Sequence, residues 1–165
     1  NDYKFPPPPQ KPTLTTIAGN NNVTLYWDFI AENSVDPISK KMDFQGYKIY
    51  RATEPEFSDV FSITNGLGNS EGYSPLAQFD IYDEIEGFFF PSENLFQQAQ
   101  GYSYYLGNNN GIKHKYVDND VINGRKYYYA VVAYDTGDEI LDIFPSENTK
   151  FISELSNGTI LTDHI

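Results

Sequence analysis

Two acidic runs hold the densest clusters of side chains from which an ion-binding site would be built. In DTGDEILD, residues 135–142, the acids are Asp135, Asp138, Glu139 and Asp142. Ca2+ takes several oxygens from a flexible loop, so these four residues are the candidate metal ligands of the chain. DIYDEIEG, residues 80–87, supplies Asp80, Asp83, Glu84 and Glu86 at similar density. Neither run carries a spacing tied to a known metal loop, and a solvated acidic loop is the plainer reading of both. DNDVING, residues 118–124, begins with the Asp118–Asp120 step of an EF-hand. It then places Ile122 and Asn123 where an Asp or Asn and a Gly belong, and Tyr129 where the closing Glu belongs. Asp118 and Asp120 therefore read as turn formers.

Groups for acid–base or nucleophilic work are scarce. The chain has two histidines, His114 and His164, and no cysteine. His114 stands between lysines in KHKYVD, outside any nucleophile motif, and reads as a surface residue. Paired carboxylates can hydrolyse glycosides, but among 23 Asp and Glu residues pairs arise by number alone. The expectation is a protein that is not an enzyme and requires no cofactor, with Ca2+ as an optional ion. Lack of cysteine excludes disulfides and thiolate metal sites.

The formal net charge of −12 sets the surface against phosphate backbones and anionic lipid. Nucleic acid is thereby excluded as a partner. No apolar run reaches the ~20 residues that span a bilayer, so no membrane insertion is expected. NDYKFPPPP lacks the basic start and apolar middle of a signal peptide, and the reading is of a soluble chain.

Aromatic residues are dense: 14 Tyr, 12 Phe and one Trp in 165 residues. Exposed rings stack on sugars or on protein partners, and Tyr50, Tyr73 and Tyr82 are the candidates for such a surface. Most other rings fall at strand periodicity, which is the mark of a core.

The elements that would hold these groups are mainly strands. TLTTI (13–17) and NVTLYWD (22–28) form a predicted hairpin, with Val23, Leu25 and Trp27 on one face. FQGYKIYRA (44–52) follows, with Tyr47 and Ile49 inward. RKYYYAVVAYD (125–135) sets Tyr127, Tyr129, Val131 and Ala133 on one face and Tyr128, Ala130, Val132 and Tyr134 on the other. A strand apolar on both faces lies centrally or is covered. TKFIS (149–153) is the predicted last strand. Residues 1–12 form a proline-rich linker, stiff because proline fixes φ and removes donors.

Residues 52–112 differ in kind, holding nine Asp or Glu and no Lys or Arg. SENLFQQAQG (92–101) reads as a short helix, with Ser92 as N-cap and Gly101 as stop. The apolar outer face of the 127–135 strand is the expected resting place for this segment's aromatics. FPSEN occurs at 90–94 and again at 144–148. The first copy leads into helix formers and the second into β-branched residues, so the echo is punctuation and not a repeat.

VTLYWD, GYKIYRA, VDNDVINGRKYYYAVVAYD and PSENTKFI together resemble the second, third, sixth and last strands of the fibronectin type III family, over about 13–52 and 113–152. The YYYAVVAYD…PSEN phrasing is similar to type III-like modules of large bacterial secreted and cell-surface proteins. The resemblance implies an all-β, immunoglobulin-like two-sheet sandwich over 13–152, interrupted by a long insert at 52–112 that contains the short helix. Residues 153–165 are then a tail or the start of a next module. It also implies that Tyr127 is the corner tyrosine whose hydroxyl ties a loop to the backbone. The function it implies is that of a non-catalytic, extracellular or cell-surface, bacterial module with a structural or adhesive role. Its partners would be neighbouring modules or other protein subunits, reached through exposed sheet edges among other surfaces. The alternative is an accessory carbohydrate-binding module of a polysaccharide-degrading enzyme, with glycan as the partner.

Overall fold

A computed structural model describes residues 6–60, 62–64, 70–93, 103–150, 152–154 and 160–162. These residues are mostly β. The strands are β1 (Leu14–Gly19), β2 (Asn22–Trp27), β3 (Phe44–Ala52), β4 (Ser62–Thr64), β5 (Ser70–Tyr73) and β6 (Ala77–Asp80). They continue as β7 (Gly87–Phe88), β8 (Tyr105–Gly107), β9 (Lys115–Asp118), β10 (Tyr128–Asp135), β11 (Ile152–Glu154) and β12 (Ile160–Thr162). A single 3-10 turn, Ile30–Asn33, precedes β3 among the described residues.

All pairings are antiparallel. One three-stranded sheet has the order β1-β2-β9 and a second has β10-β3-β6, while β4-β5, β7-β8 and β11-β12 form two-stranded pairs. Alternation along β2 buries Leu25 and Trp27, and alternation along β3 buries Tyr47 and Ile49 on the side facing them. These four residues share one cluster with Phe79 of β6 and with Tyr129, Val131 and Ala133 of β10. Both three-stranded sheets thus contribute to the same core. The Trp27 ring lies 5.8 Å from Tyr47 and 6.3 Å from Phe79, distances at which aromatic pairs attract. Truncating Leu25 or Ile49, both fully buried, would cost about 2–5 kcal/mol.

The other face of β10 and β3 is covered by the 52–112 segment, as its composition anticipates. Phe57 packs with Tyr50, Tyr128, Ala130 and Val132. Phe89, Tyr104 and Leu106 pack with Tyr134. Of the three consecutive phenylalanines at 88–90, only Phe89 is buried, while Phe88 and Phe90 are exposed. Beyond Glu93 the expected helix lies outside the described residues.

Two boundaries differ from the sequence reading. The chain meets β10 earlier than TKFIS: Tyr134 bridges Glu147, and the Asn148 N–H donates to the Ala133 carbonyl at 3.1 Å. Residues 152–154 pair instead with β12 in what was expected to be a tail. The proline segment also does more than link. Pro9 and Pro12 are buried, Asn148 Nδ2 donates to the Pro9 carbonyl at 2.6 Å, and the Gln10 N–H donates to Ser34 Oγ at 2.8 Å. Prolines lack N–H groups but keep their carbonyls, so at Pro9 the strap docks by accepting, and its donor comes from Gln10.

Candidate functional site

The 135–142 loop spreads its carboxylates among separate partners. Asp135, 3% exposed at the end of β10, accepts the N–H groups of Gly137 (3.0 Å) and Ser146 (2.9 Å) and the Ser146 hydroxyl (2.5 Å). Burial pushes its carboxyl up to about 6 in spite of those donors. Asp138 caps the turn that follows, accepting the N–H groups of Ile140 and Leu141 at 2.9 Å each, and pairs with Lys41 at 2.9 Å. The Leu141 amide and the lysine hold its carboxyl below the usual range. Asp142 has a left-handed φ of 56° and accepts the Ser92 hydroxyl at 2.6 Å. Glu139 is exposed. Among the described residues no three Asp, Glu, His or Cys side chains form a group that would hold a metal.

Acids elsewhere hold loops in the same way. Asp80, fully buried at the end of β6, accepts the N–H groups of Asn109 (2.8 Å) and Asn110 (3.0 Å). Gly107 adopts φ +136°, and a Cβ there would run into the Asp80 carboxylate. Asp118 of DNDVING takes Arg51 Nη1 on both oxygens (3.1 and 3.0 Å), the Tyr129 hydroxyl (2.8 Å) and the Asp120 N–H (3.0 Å). Asp118 and Asp120 are therefore turn formers, as their failed EF-hand spacing implies. In the same loop the Ile122 N–H donates to the Tyr127 hydroxyl at 3.1 Å, so this tyrosine does tie a loop to the backbone.

The three tyrosines expected at a ligand or partner surface separate. Tyr50 is 1% exposed because the 52–112 segment covers its face of β3, so its ring is unavailable to a glycan. Tyr82 is 83% exposed. Tyr73 closes β5, and its side chain lies outside the described residues. His114 is partly exposed, with Nε2 2.5 Å from Glu32 Oε1, which also accepts the Tyr47 hydroxyl at 3.0 Å.

The densest polar constellation was not foreseen. Lys48, on the covered face of β3, places its ammonium 3.8 Å from the Tyr104 ring centre and 5.0 Å from that of Tyr134. It meets Glu147 at 3.1 Å, and Glu147 also takes Lys150 (3.0 Å) and the hydroxyls of Tyr50 (3.3 Å) and Tyr104 (2.6 Å). Burial alone would raise the Glu147 carboxyl, but the charges of Lys48 and Lys150 hold it down to about 2. Burial in turn pulls the Lys48 ammonium down, against the attraction of Glu147. One signal for this brace was present. Period two puts Lys48 on the same face as Tyr50, and a lysine on the covered face of a central strand requires a counter-charge. Glu147 belongs to the second FPSEN, whereas Glu93 of the first is exposed.

A concavity of about 440 Å³ opens where β3 ends, lined by Arg51, Thr53, Asp59, Ser74, Arg125 and Tyr127. Its guanidinium at Arg51 is already engaged by Asp118 and Asp120. What these arrangements do chemically is fix loops and cover a sheet. No protein-family model, no curated protein and no solved structure matches the chain.

Proposed function

We propose that the chain is a fibronectin type III-like sandwich acting as a non-catalytic structural or adhesive module in a bacterial extracellular or cell-surface assembly. Support for the sandwich comes from the orders β1-β2-β9 and β10-β3-β6, from the core the two sheets share, and from the loop tied to the Tyr127 hydroxyl. The role rests on one observation: buried charges are spent as braces. Lys48–Glu147 and Arg51–Asp118 each join segments distant in sequence, and Asp135–Ser146 closes the loop that follows β10, which suits a rigid spacer.

The test is a titration of the purified chain with an oligosaccharide panel, read by intrinsic fluorescence, beside thermal melts with Ca2+ and with chelator. The module reading expects no saturable glycan signal and a melting temperature that chelator leaves in place. A saturable signal lost in Tyr82→Ala would overturn it in favour of a carbohydrate-binding module. A chelator-sensitive melt would assign Ca2+ to the acidic loops.

A further inference from the structure

β1 is an outer strand of its sheet, and β2 is its only strand partner among the described residues. Leu14 stands opposite Trp27, and the Asp28 N–H reaches the Thr13 carbonyl at 3.4 Å. Antiparallel pairs alternate, so Thr13, Thr15, Ile17 and Gly19 bond toward β2. The N–H and C=O groups of Leu14, Thr16 and Ala18 then point away from it. Thr15 to Gly19 are all exposed.

Sheet edges are usually blunted by lysine, proline, a bulge or a cover. β1 contains neither lysine nor proline, and its register with β2 runs without a shift. From Pro12 to Trp27 the sequence holds no Asp, Glu, Lys, Arg or His. The hairpin is also held in place: Asn123 Oδ1 accepts the Asn21 N–H at 2.8 Å, and Asn123 Nδ2 donates to Asn20 Oδ1 at 2.7 Å. Alternation turns Thr15, Ile17, Thr24, Tyr26, Lys115 and Val117 to the sheet's outer face, which therefore lacks any acid.

We propose that β1 pairs antiparallel with β1 of a second copy of this chain about a two-fold at Thr16, joining two three-stranded sheets into one of six. The outward groups complement themselves, since Leu14 meets Ala18 of the other copy, Thr16 meets Thr16, and about six backbone hydrogen bonds close. Across the outer face Thr15 meets Ile17. Charge selects the same occupant. Two copies at −12 each repel wherever acids meet, and the uncharged hairpin lets them approach with least repulsion. A basic peptide would be drawn instead to the 52–112 segment, which has acids and no Lys or Arg.

This pairing rests on the reading of the chain as an assembly module. Sedimentation velocity over a concentration series tests it, with wild type, Thr16→Pro and Ala18→Lys. Thr16→Pro deletes an N–H that β2 does not use and puts a ring at the edge. Ala18→Lys places a charge at an exposed edge position and needs no backbone change. The expected result is a wild-type dimer weakened at least about tenfold by each variant. Wild type that stays monomeric to millimolar concentration overturns the pairing, as does any oligomer that neither variant weakens. Those failures leave the module reading standing, whereas saturable glycan binding would remove that reading by itself.

Discussion

Replacing Glu147 by Gln keeps the shape of the brace and removes its negative charge. The carboxyl stands at about 2 against an ordinary 4.5, so the folded state favours the ionised form by about 3 kcal/mol. The side chain retains 20% exposure, and solvent screening trims this to about 2–3 kcal/mol. A second route agrees. Lys48 would be left among aromatic rings without its nearest counter-charge, and removing one partner of a buried pair costs about 3–5 kcal/mol. The assay is denaturant unfolding followed by Trp27 fluorescence from pH 7 downward. Because the folded value lies below the unfolded one, this stability is present above 4.5 and is lost as pH falls toward 2. Wild type and Glu147→Gln should therefore differ by about 3 kcal/mol at pH 7 and converge at the acid end. The double variant Lys48→Met/Glu147→Gln should recover most of the loss. A gap under about 1 kcal/mol at pH 7, or one that does not close with acid, would refute the reasoning.

Two further outcomes follow from single side chains. Asp135 titrates with the opposite sign: its folded value of about 6 exceeds the ordinary 3.8, so its contribution is full in acid and lost as pH rises through 6. Wild type should gain about 1 kcal/mol from this group between pH 7 and 5, and Asp135→Asn should abolish that gain; an unchanged slope in the variant would count against it. Tyr127→Phe removes the acceptor of the Ile122 N–H, and a loss of about 1 kcal/mol is expected. Amide exchange at Ile122 should quicken, and unaltered protection there would show that the hydroxyl holds nothing.

Period-two patterns carried the core well. Val23, Leu25 and Trp27, and Tyr129, Val131 and Ala133, take the faces that alternation assigns them. The destination of the 52–112 aromatics was also readable, because an apolar outer face on β10 had to be covered by something. Which outer-face residues the cover would reach was not readable. Tyr50 shares its face with Lys48, and local spacing does not distinguish a ring offered to solvent from one roofed by Phe57. Lys48 and Glu147 meet across 99 residues, so their pairing leaves no local trace. Acid density in DTGDEILD is visible in the chain, but the amides of Gly137, Ile140 and Leu141 that satisfy those acids appear only when the turn is formed. The strap's stiffness follows from its prolines, yet its docking depends on a donor at Asn148, far along the chain.

That strap also sets a mechanical path. Asn148 grips the Pro9 carbonyl with Nδ2, while its Oδ1 and backbone N–H hold the N–H and carbonyl of Ala133 in β10. Tension drawn along residues 6–12 therefore passes through one asparagine into β10, an outer strand of the second sheet, before it reaches β1. At Pro9 the load falls on the Nδ2–carbonyl hydrogen bond, which Asn148 passes on to Ala133 through its Oδ1 and its N–H. β1 and β2 follow that anchor in the chain, so a pull on the strap is shared with the second sheet before it reaches the hairpin.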